Sequence, residues 1–187
     1  FTILATYDKA DFKRRVKNME PRLARLARGD RKSPWFLYSQ AEIRLQWAIL
    51  SGKYNNYLSS LSDIKQAYAL LEQNQREHPD FKANLKSLGM LHAMVGNIPE
   101  EYRWSIKALG GMSGTVEQGL RELQELLDHA AQQNFVFEAE ARIACAFLQL
   151  HAQNDKSAAW ATLKSSSLDA QKSPIAAFAL ASLAMRT

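Results

Sequence analysis

Cysteine is almost absent from this 187-residue chain. The single Cys145, in "EAEARIACAFLQL", excludes an internal disulfide and offers no thiol pair for zinc. It reads as a small buried apolar residue on a helix. Proline occurs five times, at the edges of apolar segments. No run alternates apolar and polar residues for long enough to make a strand. No stretch approaches the ~20 apolar residues that a membrane-spanning helix requires. None of the four histidines has a second one four residues away, the spacing of a helical metal site. There is no nucleophile elbow and no Ser, His and Asp arrangement. The carboxylate pairs Glu100 with Glu101 and Glu138 with Glu140 do not face each other on a helix. These absences argue against a β fold, a metal site, a cofactor and an enzyme.

What is present is helical pattern. In "DKADFKRRVKNMEPRLARLARGD", Phe12, Val16, Met19, Leu23 and Leu26 fall on one stripe. Pro21 should kink or restart this helix, and Gly29 should end it. Ser33 and Pro34 then form a cap and first turn for a helix reaching about Ser51. That helix is apolar nearly all round. Its polar residues form two narrow stripes, Ser39, Glu42 and Gln46 on one side and Gln40, Arg44 and Ser51 on the other, as expected of a helix held between two neighbours. "GKYNN" makes the turn into a long helix closed by Pro79, with Leu58, Leu61, Ile64 or Lys65, Tyr68 and Leu71 expected on its inner face. Another helix follows Asp80, and Pro99 with Glu100 and Glu101 reads as the first turn of a short one.

Thr115 with Gln118 has the form of a capping box, and Asp155 and Ser173 are further caps. From Thr115 helix starts fall near 115, 135, 155 and 174, roughly twenty residues per helix and roughly forty per pair. Short loops between helices of similar length force antiparallel neighbours. The prediction is an all-α stack of antiparallel helix pairs, about eight helices, as one domain over residues 1–187. The chain begins at Phe1 and closes as a helix finishes, so it reads as part of a longer repeat protein.

Charge and glycine are unevenly spread. Residues 1–32 carry ten Lys or Arg against four Asp or Glu, whereas the rest is close to neutral. Lys13, Arg14, Lys17, Arg22, Arg25 and Arg28 form either a solvated face or a surface for an acidic protein, with anionic lipid or nucleic acid as further options. Phe12 belongs to the buried stripe and leaves no aromatic platform beside the charges, so nucleic acid is not expected. Five of the eight glycines lie between Gly89 and Gly114. Gly89 and Gly96, on one side of a helix with His92, should let another backbone approach closely. His92 should then pack in that crossing on a hydrogen-bond partner, with ligand contact as its other use. "GGMSGT" lacks the preceding strand and following lysine of a phosphate loop, and reads as a helix-to-helix turn.

"AEIRLQWAILSGKY" with its following helix resembles a degenerate tetratricopeptide unit. "LGMLHAMVGNIPEEYRWSIKALGGMSGTVEQGLREL", with "SPWFLYSQAEIRLQWAI" before it, is similar to a family of tetratricopeptide-repeat-like proteins from Bacteroidetes. The resemblance implies a right-handed α–α superhelix, a scaffold without assigned chemistry and an extracytoplasmic location. The functional expectation is a non-catalytic scaffold for a protein or peptide partner, an acidic one where the basic helix takes part. Gln40, Arg44, Trp47, Tyr102 and Trp104 are candidates for a concave binding surface, where aromatic and arginine anchors dominate, and Arg22 and Arg25 for the basic one. The competing expectation is a carrier of a small apolar or lipid-like ligand in a pocket near residues 89–104.

Overall fold

The computed structural model describes residues 8–102, 111–132, 135–164 and 169–185, without the side chains of Tyr102 and Ile175. Among these residues the chain is all-helical. Nine α-helices occur: α1 (Lys9–Val16), α2 (Met19–Leu26), α3 (Pro34–Lys53), α4 (Tyr57–Glu77), α5 (Asn84–Gly96), α6 (Val116–Gln132), α7 (Glu138–His151), α8 (Lys156–Lys164) and α9 (Pro174–Ala184). A 3-10 turn, Glu100–Tyr102, stands where the short helix after Pro99 is expected. Helix starts in the second half, at 116, 138, 156 and 174, keep the expected rhythm.

The four caps the sequence places are present, although at Thr115 only half of the capping box forms, since the Gln118 side chain donates to Glu122 instead. Ser33 Oγ accepts from the Trp35 amide, and Ser173 Oγ from that of Ala176. Asp155 Oδ1 accepts from the Ala158 amide at 2.9 Å and Thr115 Oγ1 from that of Gln118 at 3.0 Å. Each satisfies a donor that a helix N-terminus leaves without an intrahelical acceptor. The basic segment breaks three residues earlier than its proline suggests. Pro21 is the third residue of α2, where its missing N–H costs no helical bond, so the chain restarts at Met19 and the break falls at Lys17 and Asn18.

Two compact units form, described by residues 8–84 with 111–112 and by residues 85–102 with 113–185. In the first, Phe12, Met19, Leu23 and Trp47 make a cluster to which Val16, Ile43, Leu50 and Tyr54 add. The Phe12 and Tyr54 rings stack at 4.5 Å. Helix α3 therefore has α2 on one side and α4 on the other, which explains its weak polar stripes. The α3–α4 pair is antiparallel: Asn74 Nδ2 donates to the Pro34 carbonyl, Arg44 pairs with Asp63, and Ser60 Oγ donates to the Ala48 carbonyl.

The inner face of α4 differs from the one expected. Asp63, Ala67, Leu71 and Asn74 are buried, whereas Leu58 is 84% and Leu61 37% exposed. Of the predicted stripe, Leu71 alone is fully buried. The contact with α3 uses small and polar side chains, and Ala41, Ala48 and Ala67 are all closed to solvent.

In the second unit Leu85, Ala93, Leu123, Leu126, Leu127, Ala141, Cys145 and Leu148 form a core across α5, α6 and α7. Leu123 and Leu126 are completely buried, each worth about 1.5–3 kcal/mol relative to exposure. Ala146, Leu150, Ala159, Leu163 and Leu183 continue the core to α8 and α9. Burial pushes the Cys145 thiol above its usual range, as expected of a core cysteine.

Candidate functional site

Gln40 and Arg44 stand one turn apart on α3. Across from them α4 presents Gln66, Ala69, Leu70 and Gln73, and together the six residues line a groove of about 290 Å³. The α4 residues follow i, i+3, i+4, i+7 spacing and so share one face. That spacing was legible in the sequence, but the nearby leucine stripe drew the reading to another face.

The polar groups of this groove are held in place from beneath. Arg44 Nη1 donates to Asp63 Oδ1 at 3.1 Å, and the two side chains are 19% and 8% exposed. Burial pushes the Asp63 carboxyl above the usual range, the Arg44 hydrogen bond and charge pull it back, and Glu20 adds a smaller upward push. Each glutamine is tied to its own helix through Nε2. Gln40 donates to the Phe36 carbonyl at 3.0 Å, Gln66 to Ser62 Oγ at 3.2 Å, and Gln73 to Glu77 Oε1 at 2.8 Å. Nε2 has two hydrogens and Oε1 two lone pairs, so each amide keeps hydrogen-bonding capacity beyond these contacts.

Trp47 does not belong to this surface. It lies in the cluster with Phe12, Met19 and Leu23 and is 6% exposed, so it is a core residue and is corrected from the partner-facing set. Trp104 and the Tyr102 side chain lie outside the described residues. Arg22 and Arg25 are exposed on α2, and among the described residues no side-chain hydrogen bond or ion pair engages them. Among the described residues no three His, Cys, Asp or Glu side chains are grouped to hold a metal ion.

The glycine-rich region is a helix crossing. A Cβ on Gly89 would lie 2.8 Å from the Gly119 carbonyl oxygen, and one on Gly119 would overlap the Gly89 carbonyl oxygen. A Cβ on Gly96 would fall 2.5 Å from Thr115 Cα, and one on Gly114 2.5 Å from His92 Cα. Helices α5 and α6 therefore run backbone against backbone, antiparallel. Gly114 and Thr115, just before α6, take part in the same contact.

His92 is buried in this crossing. Its Nδ1 lies 2.7 Å from Glu122 Oε2 and 3.0 Å from Gln118 Nε2, and that amide donates to Glu122 Oε1 at 3.0 Å. An ionised carboxylate only accepts, so Nδ1 carries the proton on this edge of the ring. Nearby, Lys86 is buried with Nζ 2.8 Å from Glu140 Oε2 and 4.5 Å from the centre of the Phe137 ring. Compared with family models, curated proteins and solved structures, the chain matches none.

Proposed function

We propose that the chain is a non-catalytic binding scaffold of tetratricopeptide-like helix pairs, and that the α3–α4 groove receives a peptide segment of a protein partner. The groove's composition carries this reading. Gln40, Gln66 and Gln73 supply amide donors and acceptors, Arg44 supplies a guanidinium, and Ala69 and Leu70 supply apolar surface. An extended peptide offers the complement, with alternating N–H and C=O groups along an otherwise apolar chain. The tethers to Phe36, Ser62, Glu77 and Asp63 hold these side chains before binding, which lowers the ordering cost that association carries. Amides and a paired guanidinium are poor proton carriers and poor nucleophiles, so the lining suits recognition better than reaction.

The test is selection from a library of extended pentapeptides, followed by titration of the selected peptide into wild type and a Gln40→Ala/Gln73→Ala variant. Gln73 is exposed and Gln40 half-buried, and each amide is bonded only within its own helix, so the fold should be kept. The expected result is affinity lowered about tenfold or more, with the melting temperature unchanged. Equal affinity, or recovery of a bound apolar small molecule in place of a peptide, would reject the groove as a peptide site.

A further inference from the structure

The structure separates two sets of arginines in the basic segment. Arg14 and Arg15 share the single carboxylate of Asp11, so both guanidinium groups are engaged within α1 and one of their two charges is offset. Arg22, Arg25 and Arg28 are exposed, and among the described residues nothing engages their guanidinium groups. Arg22 and Arg25 lie one turn apart on α2 and Arg28 follows in the turn after it, with the exposed Pro21 and Ala24 beside them. Beneath them Met19 and Leu23 pack on Trp47, which fixes this ridge to α3.

We infer that the Arg22, Arg25 and Arg28 ridge docks an acidic helical segment of a protein partner. The inference rests on the binding-scaffold reading and is independent of the groove. Guanidinium forks pair bidentately with carboxylates, and all three ridge positions are Arg. Glutamates three or four residues apart on a helix lie about 5–6 Å from one another, which suits Arg22 and Arg25 at the same helical spacing, with Arg28 beyond the helix end as a third cation. The small Pro21 and Ala24 side chains leave room for a second helix to approach.

Other anionic surfaces fit less well. A helix that settles on a membrane sets large apolar residues beside its cations, and here Met19 and Leu23 are buried. Single-stranded nucleic acid stacks on exposed aromatics, whereas Phe12, the one aromatic of α1 and α2, is buried against Tyr54. The acidic residues that flank the three arginines in the sequence are the exposed Glu20 and Asp30. Neither cancels the three arginines, so the ridge keeps a net positive field.

The probe is a labelled, end-blocked helical peptide with Glu at alternating three- and four-residue spacing, titrated into the full chain by fluorescence anisotropy. Arg22→Glu/Arg25→Glu should weaken binding at least about tenfold, and Lys13→Glu/Lys17→Glu, an equal charge change on α1 and its C-cap, less than about threefold. Arg22→Lys/Arg25→Lys should fall between them, because the charge stays and the fork is lost. Circular dichroism verifies that each variant is folded. The Gln40→Ala/Gln73→Ala variant should bind the probe as wild type does, which separates this surface from the groove. Three results would overturn the inference: equal losses in the Arg and Lys reversals, loss in the groove variant, or tighter binding to phosphatidylserine vesicles or duplex DNA at the same salt.

Discussion

The α3–α4 and α5–α6 pairs solve one problem in two ways. Each brings two antiparallel helices together through a narrow contact. In α5–α6, Gly89, Gly96, Gly114 and Gly119 remove the side chains at the contact, and backbone meets backbone. In α3–α4 the contact uses alanines and internal polar ties, Arg44 with Asp63 and Asn74 with the Pro34 carbonyl. The glycine crossing leaves no space at its centre, and its buried histidine pairs with Glu122, whose carboxylate also accepts from the Gln118 amide. The polar pair keeps an outward-facing groove with anchored hydrogen-bonding groups. The glycine-rich stretch is the conspicuous feature of the sequence, and its described glycines make a close helix contact, while the less conspicuous pair keeps the groove on which the peptide-binding proposal rests.

The same chemical change should act oppositely on the two pairs. Gly119→Ala places a methyl group on the Gly89 carbonyl and 2.7 Å from Ala93 Cβ, where backbone cannot yield cheaply. A loss of about 3 kcal/mol is expected, at the upper end of overpacking costs. At Gly52 near the end of α3 the nearest atom to an added Cβ is Ser60 Oγ at 3.4 Å, an ordinary contact. Gly52→Ala should be neutral or stabilise by up to about 1 kcal/mol through helix propensity. Urea denaturation of both variants measures this, and equal effects would remove the distinction between the two contacts.

The polar pair has a different weak point. Asp63→Ala leaves Arg44, mostly buried, without its carboxylate, and a loss of about 2 kcal/mol is expected, less than for a fully enclosed pair. Removing both partners, with Arg44→Met added, should recover much of that loss, since no unpaired charge then remains. A double-mutant cycle by urea denaturation gives the coupling. A double variant as unstable as Asp63→Ala would show that packing, and not the stranded charge, sets the cost.

These differences explain how far the sequence could be read. Caps depend on local chemistry, so Ser33, Thr115, Asp155 and Ser173 were legible from the residues around them. Close approach at Gly89 and Gly96 was legible because a helix gains little else from two such glycines. Their partners, Gly114 and Gly119, were not assigned that role, because which backbone arrives is a tertiary fact. The buried face of α4 differs from the one its leucines suggest, because leucine weighs heavily in any periodicity argument. In the fold Leu58 and Leu61 face solvent, and the contact with α3 goes to Ser60, Asp63 and Ala67, which suit a close approach. The same substitution of small for large hid Gln66 and Gln73 as groove residues and made Trp47 look available when α1 and α2 cover it.

The smallest expected effect concerns pH. Burial holds the Asp63 carboxyl above its unfolded value despite Arg44. Between the unfolded and the folded value the native state binds more protons than the unfolded chain, so stability falls as pH rises through that interval. Read in the other direction, Asp63 adds stability as the solution is acidified from neutrality, and this contribution is complete below the ordinary aspartate range. Asp63→Asn removes it. The difference in stability between wild type and Asp63→Asn should therefore move in favour of wild type as pH falls through the interval just above that range, by a fraction of the pair energy. Other carboxylates, such as the Asp11 group lowered by its hydrogen bonds to Arg15 and Arg14, act in the opposite sense but cancel in the difference. Urea midpoints of the two proteins across acid pH give this quantity directly. A difference that moves the other way would mean that Arg44 outweighs burial at Asp63, making the α3–α4 pair a net electrostatic attraction in place of a compensated desolvation.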